Sequence, residues 1–195
     1  AAFREVETDQ GIVYEVTGEV EFDSETLPAA VRGLAGVALF PETSEALREQ
    51  ILDVLLRVWA GVASWKTVWG PRSSQELARA LAEIGAEEHA EAGARLRILE
   101  ALGAALERLS VLRALAGLAA APSADRDFER ALLETGTAIL DHWIEPDTTP
   151  EELALVLRVV GRIAARPGIS SRSQKAKLLR RQTVGLLWSF ANVGE

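Results

Sequence analysis

Residues 44–69 read SEALREQILDVLLRVWAGVASWKTVW. Leu47, Ile51, Val54, Val58, Val62, Trp65 and Trp69 recur three or four residues apart, which puts them on one stripe of an α-helix. Leu52, Leu55, Leu56 and Trp59 fill a second flank, so this helix is expected to be covered on two sides. A helix apolar on two flanks needs other helices around it. The same periodicity predicts them at about 25–38, 74–85, 87–120, 124–144, 150–165 and 171–191.

The punctuation agrees. Thr149-Pro150-Glu151-Glu152 is a capping box with Pro at the first helical position. Ser73 with Glu76 repeats the box, and Ser171 with Gln174 resembles it. Gly70-Pro71 and Pro167-Gly168 read as stops. The segment 87–120 carries Leu99, Leu102, Leu106, Leu109 and Leu112 on one face, with Ile98, Ala105 and Leu115 beside it. Gly103, Ser110 and Gly117 are the places where such a long helix would bend.

Before residue 23 the pattern changes. Ile12, Tyr14, Val16, Val20 and Phe22 alternate with Val13, Glu15, Thr17, Glu19 and Glu21, the period of a half-buried strand. Asp9-Gln10-Gly11 turns a hairpin in one register and Thr17-Gly18 in another.

Two internal similarities bear on architecture. Ile51-Leu52-Asp53-Val54-Leu55 aligns with Ile98-Leu99-Glu100-Ala101-Leu102 at a shift of 47 residues. Leu132-Leu133, Thr137, Ala138, Leu140 and His142 align with Leu178-Leu179, Thr183, Val184, Leu186 and Trp188 at a shift of 46. Spacings in the forties resemble HEAT or armadillo-type repeats, whose helix pairs stack into a solenoid. The fold class expected is therefore mainly α, either an α-solenoid of HEAT/armadillo-like helical hairpins or a compact helix bundle, with a short N-terminal β-hairpin. Residues 1–23 form the hairpin or arm, and residues 24–195 one all-helical domain.

Composition narrows the functions. The 195 residues are 48% hydrophobic, enough for a sizeable core, and contain no cysteine and two histidines. Disulfides, thiolate metal sites and cysteine nucleophiles are excluded. There is no Gly-rich phosphate loop, dinucleotide fingerprint, nucleophile elbow or His-Glu-x-x-His. The longest nearly uncharged apolar run, Leu27–Phe40, falls short of the about 20 residues a membrane span needs. These features point to a soluble, cytoplasmic protein without cofactor or metal. Glu87-Glu88-His89-x-Glu91 and Asp141-His142-Trp143-Ile144-Glu145-Pro146-Asp147 are read as a helix start and a solvated loop rather than metal sites.

Charge is distributed unevenly. The net charge is −8, yet residues 1–23 hold one base, Arg4, against seven acids. From Leu153 to Gly194 there is no acid, while Arg158, Arg162, Arg166, Arg172, Lys175, Lys177, Arg180 and Arg181 contribute eight positive charges. Leu178, Leu179, Leu186 and Leu187 are expected to face inward from the last helix. The candidate partner-binding residues are Arg158, Arg162, Arg172, Lys175, Lys177, Arg180 and Arg181, with Trp65, Trp69 and Tyr14 as aromatic anchors.

The function expected is a non-catalytic protein–protein interaction module, a helical scaffold or adaptor, self-assembling through its acidic hairpin and basic last helix. Two alternatives stand beside it. One is binding of nucleic acid or another acidic ligand through the 158–181 cluster, disfavoured by the overall negative charge. The other is a small-ligand or enzyme pocket between helices, signalled by a polar cavity around His89 or His142.

Overall fold

The computed structural model describes residues 2–8, 11–17, 26–64, 71–105, 109–121, 125–143, 148–166, 169 and 174–192. For the strands and a few residues near helix ends the backbone alone is described. The chain is mainly helical. Strands β1 (Ala2–Thr8) and β2 (Gly11–Thr17) pair antiparallel, with Val6 opposite Val13 and Glu5 opposite Tyr14. The pairing of Thr8 with Gly11 agrees with the first of the two registers the sequence allowed; residues 9 and 10 lie outside the described residues. Residues 18–25, with the second candidate turn at Gly18, lie outside the described residues.

Eight helices follow among the described residues: α1 (Thr26–Leu39), α2 (Glu45–Ser64), α3 (Pro71–Ala86), α4 (Ala92–Gly103), α5 (Leu109–Leu118), α6 (Arg126–Trp143), α7 (Pro150–Ala165) and α8 (Gln174–Asn192). None is long and apolar enough to cross a membrane. The box at Thr149 forms as read: its hydroxyl accepts from the Glu152 amide at 3.3 Å while the Glu152 carboxylate accepts from the Thr149 amide at 2.9 Å. Ser44 and Asp125 cap α2 and α6, accepting from Leu47 and Phe128 amides.

Two local readings are corrected. Ser73 does not cap a helix, because α3 already begins at Pro71. Ser73 lies inside α3, fully buried, with no partner for its hydroxyl among the described residues. Pro71 is the first residue of α3, where a proline forfeits no hydrogen bond; residues 65–70 before it lie outside the described residues. The predicted helix 87–120 is two helices: α4 starts only after Glu91 and stops at Gly103, and α5 resumes at Leu109.

The core runs the length of the helical region. In α2 the deepest residues are Ile51, Leu52, Leu55 and Trp59, and in α4 they are Ile98, Leu99 and Leu102. The shift of 47 thus aligns buried positions with buried positions. The Trp59 indole donates to the Ala101 carbonyl at 2.8 Å, tying α2 to α4.

Helices pack on their sequence neighbours from α1 to α5 and from α6 to α8, but also on the next but one: α1 packs on α3, α3 on α5, α5 on α7, and α2 on α4, α4 on α6, α6 on α8. Gly85 marks the tightest of these approaches, because a Cβ there would lie 2.7 Å from Leu118 and 3.2 Å from Ile98. Polar contacts follow the same rule. Arg32 pairs with Glu76 (α1–α3), Arg97 with Glu49 and Asp53 (α4–α2), and Lys175 with Glu134 (α8–α6).

Arginines seat on the C-terminal ends of helices, where carbonyls lack intrahelical donors and the helix dipole is negative. Arg48 donates to the carbonyls of Phe40 and Pro41, just past α1. Arg95, 5% exposed, donates to Gly85, Glu87 and Glu88 at the end of α3. Arg162 reaches Ala116 in α5, and Arg166 the carbonyls of Ala119 and Ala121 just beyond it. Arg180 reaches Ala164 at the end of α7. Arg166 also holds Glu129 at 2.6 and 2.8 Å in a buried pair and lies 5.6 Å from the Phe128 ring centroid. It adopts extended backbone (φ −62°, ψ 134°), as a residue preceding proline must.

These clasps predict unequal costs. Arg95→Met and Arg166→Met should each lower the unfolding free energy by about 3 kcal/mol, since each strands buried carbonyls and, for Arg166, a buried carboxylate. Removing the exposed Arg32–Glu76 pair by Arg32→Ala should cost no more than about 1 kcal/mol. Urea titrations of the three variants check the contrast.

Candidate interaction surface

The basic segment divides by what its members touch. Arg162 and Arg180 are engaged with backbone carbonyls of α5 and α7. Lys175 is exposed and pairs with Glu134 at 3.2 Å. Arg158, Lys177 and Arg181 are exposed. Arg172 lies outside the described residues, as do Trp65 and Trp69. Tyr14 sits mid-way along β2, opposite Glu5, with its side chain outside the description.

On α8 the expected inward face is corrected at one residue. Leu179 is buried and Leu186 half-buried, but Leu178 is 51% exposed, and the side chain of Leu187 is outside the description. At the aligned position of α6, Leu132 is fully buried. α8 packs against α6, and α8 is the last helix among the described residues. Lys177, Arg181, Val184 and Trp188 recur four, three and four residues apart and share a face with Leu178. Val184 is 64% and Trp188 73% exposed.

The opposite end has a matching feature. Val37 on α1 and Phe40 just after it are 46% and 55% exposed. Ala29, Gly33 and Gly36 lie on the same face of α1, and a Cβ added at either glycine would meet nothing. Among the described residues, the large apolar side chains left exposed are these five, at the first and last helices. Periodicity could not single them out, because it finds apolar stripes without saying which helix lacks a neighbour.

A cavity of about 340 Å³ opens where α1 ends, between the start of α2 and the loop from α3 to α4. Leu39, Leu52 and Ile84 line its apolar side; Glu45, Glu49, Arg48, Glu87, His89 and Glu91 line the rest. Glu87–Glu91 were expected to begin a helix. They form instead the turn before α4, where Glu87 accepts from the His89 amide at 2.8 Å and Glu91 occupies the N-cap. A hydrogen bond with Glu45 raises the Glu91 carboxyl above the usual range, helped by the Glu45 and Glu49 charges and by desolvation. His142 is exposed, its ring edge-on to Trp143 at 5.8 Å; residues 144–147 lie outside the description. Among the described residues no group of three or more His, Asp or Glu side chains is placed to hold a metal ion.

No protein family and no curated protein matches the chain.

The carboxyls make a pH prediction with opposite signs. Hydrogen bonds from the Thr149 amide and hydroxyl lower Glu152, so its contribution to stability is present above the unfolded-state value and lost as pH falls through the folded one. Glu91, raised, contributes below the unfolded-state value and loses that contribution as pH rises through the folded one. Carboxyl-detected NMR titration should place the Glu91 midpoint above and the Glu152 midpoint below the ordinary value of 4.5. The stability of wild type relative to Glu91→Gln should fall as pH rises across that range.

Proposed function

We propose that this protein is a non-catalytic protein–protein interaction module: a short α-solenoid scaffold, residues 24–195, preceded by an acidic arm, residues 1–23. The solenoid reading is supported by the contacts of each helix with the next but one. It is also supported by hydrogen bonds that recur between residues 41–48 apart, close to the shifts of 46 and 47 that align the sequence with itself. Bundles need no such fixed separation; stacked repeats do.

The observation that carries the interaction reading is the outer face of α8. Leu178, Val184 and Trp188 are exposed there beside Lys177 and Arg181. Aromatic and basic residues together, on a rigid element, are the composition of interface hot spots. The partner that fits is an acidic segment with apolar side chains. Nucleic acid fits less well, because Arg162, Arg166 and Arg180 are engaged with carbonyls, leaving a sparse positive face on a chain of net charge −8.

A labelled acidic peptide of Glu and Leu should bind the full-length protein. Its affinity should fall as salt is raised, and by about tenfold or more in Lys177→Glu/Arg181→Glu. Binding that ignores both salt and the double substitution overturns the docking reading. Duplex DNA binding tightly under the same conditions would favour the nucleic-acid alternative.

The cavity beside His89 favours a second reading, a small-ligand site. Its volume lies at the lower end of ligand pockets, and its carboxyls would take a small organic cation. Thermal shift with a panel of amines tests this: stabilisation that disappears in Glu45→Gln/Glu91→Gln supports it, and no shift removes it.

A further inference from the structure

We infer that the partner seated on α8 is a second copy of this chain, docked head to tail so that its α1–α2 hairpin continues the stack. This rests on the interaction reading above and names its occupant. Three observations converge on it.

First, the exposed apolar side chains sit at opposite ends. One end presents Leu178, Val184 and Trp188; the other presents Val37 and Phe40 around an open stripe of Ala29, Gly33 and Gly36. Bulk faces space: a helix carrying large side chains packs against one whose small residues admit them. Second, the chain already makes this kind of contact within itself. Leu132 of α6 is buried with α8 against its helix, and its counterpart Leu178 is left bare. A helical hairpin placed beyond α8 would cover Leu178 as the rest of the stack covers Leu132.

Third, charge sets the polarity. The tail face holds Lys177 and Arg181, and the last 43 residues carry a single acid, the terminal Glu195. The seven acids of residues 1–23 immediately precede the head. Head to tail, the basic face of one copy meets the end of the next that the acidic residues 1–23 precede in sequence. Tail to tail, Lys177 and Arg181 would face their own copies, and like charges across an interface are costly. Such a heterologous contact uses two different surfaces and does not close at two copies, so it grows into a ring or an open row.

Sedimentation of the full chain should show a mass that rises with concentration past the dimer and falls with added salt. Val37→Asp/Phe40→Asp blocks the head and Val184→Glu/Trp188→Glu blocks the tail; each alone should remain a single chain, with circular dichroism confirming that it is folded. Mixed together they should form a one-to-one dimer that grows no further, because each retains the end the other lacks. A wild-type chain that stays monomeric in low salt overturns the inference. So does a mixture that fails to pair, or a head-blocked variant that still dimerises through its tail alone. If copies do not stack while the acidic Glu/Leu peptide still binds α8, the self-stacking inference falls and the docking reading stands.

Discussion

The packing of the helices depends on arginines laid across their ends. An α-helix finishes with carbonyls that have no donor and a partial negative charge, and where such an end is buried it needs a partner. Here the partners come from other helices. Arg48 is the fourth residue of α2 and serves the end of α1; Arg95 is the fourth residue of α4 and serves the end of α3. They are 47 residues apart, the same shift that aligns Ile51 with Ile98. At the fourth position of α6 stands Glu129, which cannot donate. It holds Arg166, and Arg166 carries the donors to the carbonyls beyond α5. One structural need is met by two chemistries at the fourth position of these helices.

Burying a guanidinium is expensive unless its donors are satisfied. Arg95 has three carbonyl oxygens and no carboxylate among its hydrogen-bond acceptors, so the negative end of α3 takes the role of counter-ion. Its guanidinium is lowered from its ordinary value by burial first and by the Arg166 charge second. The two clasps are therefore close enough to feel each other. Each lies on its own set of oxygens.

Much of the helical pattern was legible. Apolar spacing located the helices, and Thr149-Pro150-Glu151-Glu152 located the start of α7 to the residue, because a capping box is a local interaction written in four consecutive positions. The similarity at a shift of 47 was legible because Ile51, Leu52 and Leu55 are core positions, as are Ile98, Leu99 and Leu102. The arginine clasps were not legible. An arginine's target is a backbone carbonyl, which every residue has, so no pattern of side chains announces it. Ser73 misled because a serine three residues before a glutamate looks the same whether it lies before a helix or inside one; only Pro71 at the true start decides. The bare Leu178 was hidden because its sequence neighbourhood matches that of the covered Leu132, and a sequence pattern does not say which of two like positions a neighbouring helix covers.

The same reasoning changes the meaning of the acid-free segment. Eight positive charges with no acid among them suggest an electrostatic surface, yet Arg162, Arg166 and Arg180 are spent on carbonyls within the chain. Acids at those positions would repel the carbonyls, which gives a structural reason for part of the bias. What remains outward on α8 is smaller and mixed, two cations among Leu178, Val184 and Trp188. A purely electrostatic partner has no use for the apolar three, and a purely apolar partner leaves the cations desolvated and unpaired. A helical end bordered by acids satisfies both, and the first helix of this chain, with Val37 and Phe40 exposed and seven acids ahead of it, has that composition.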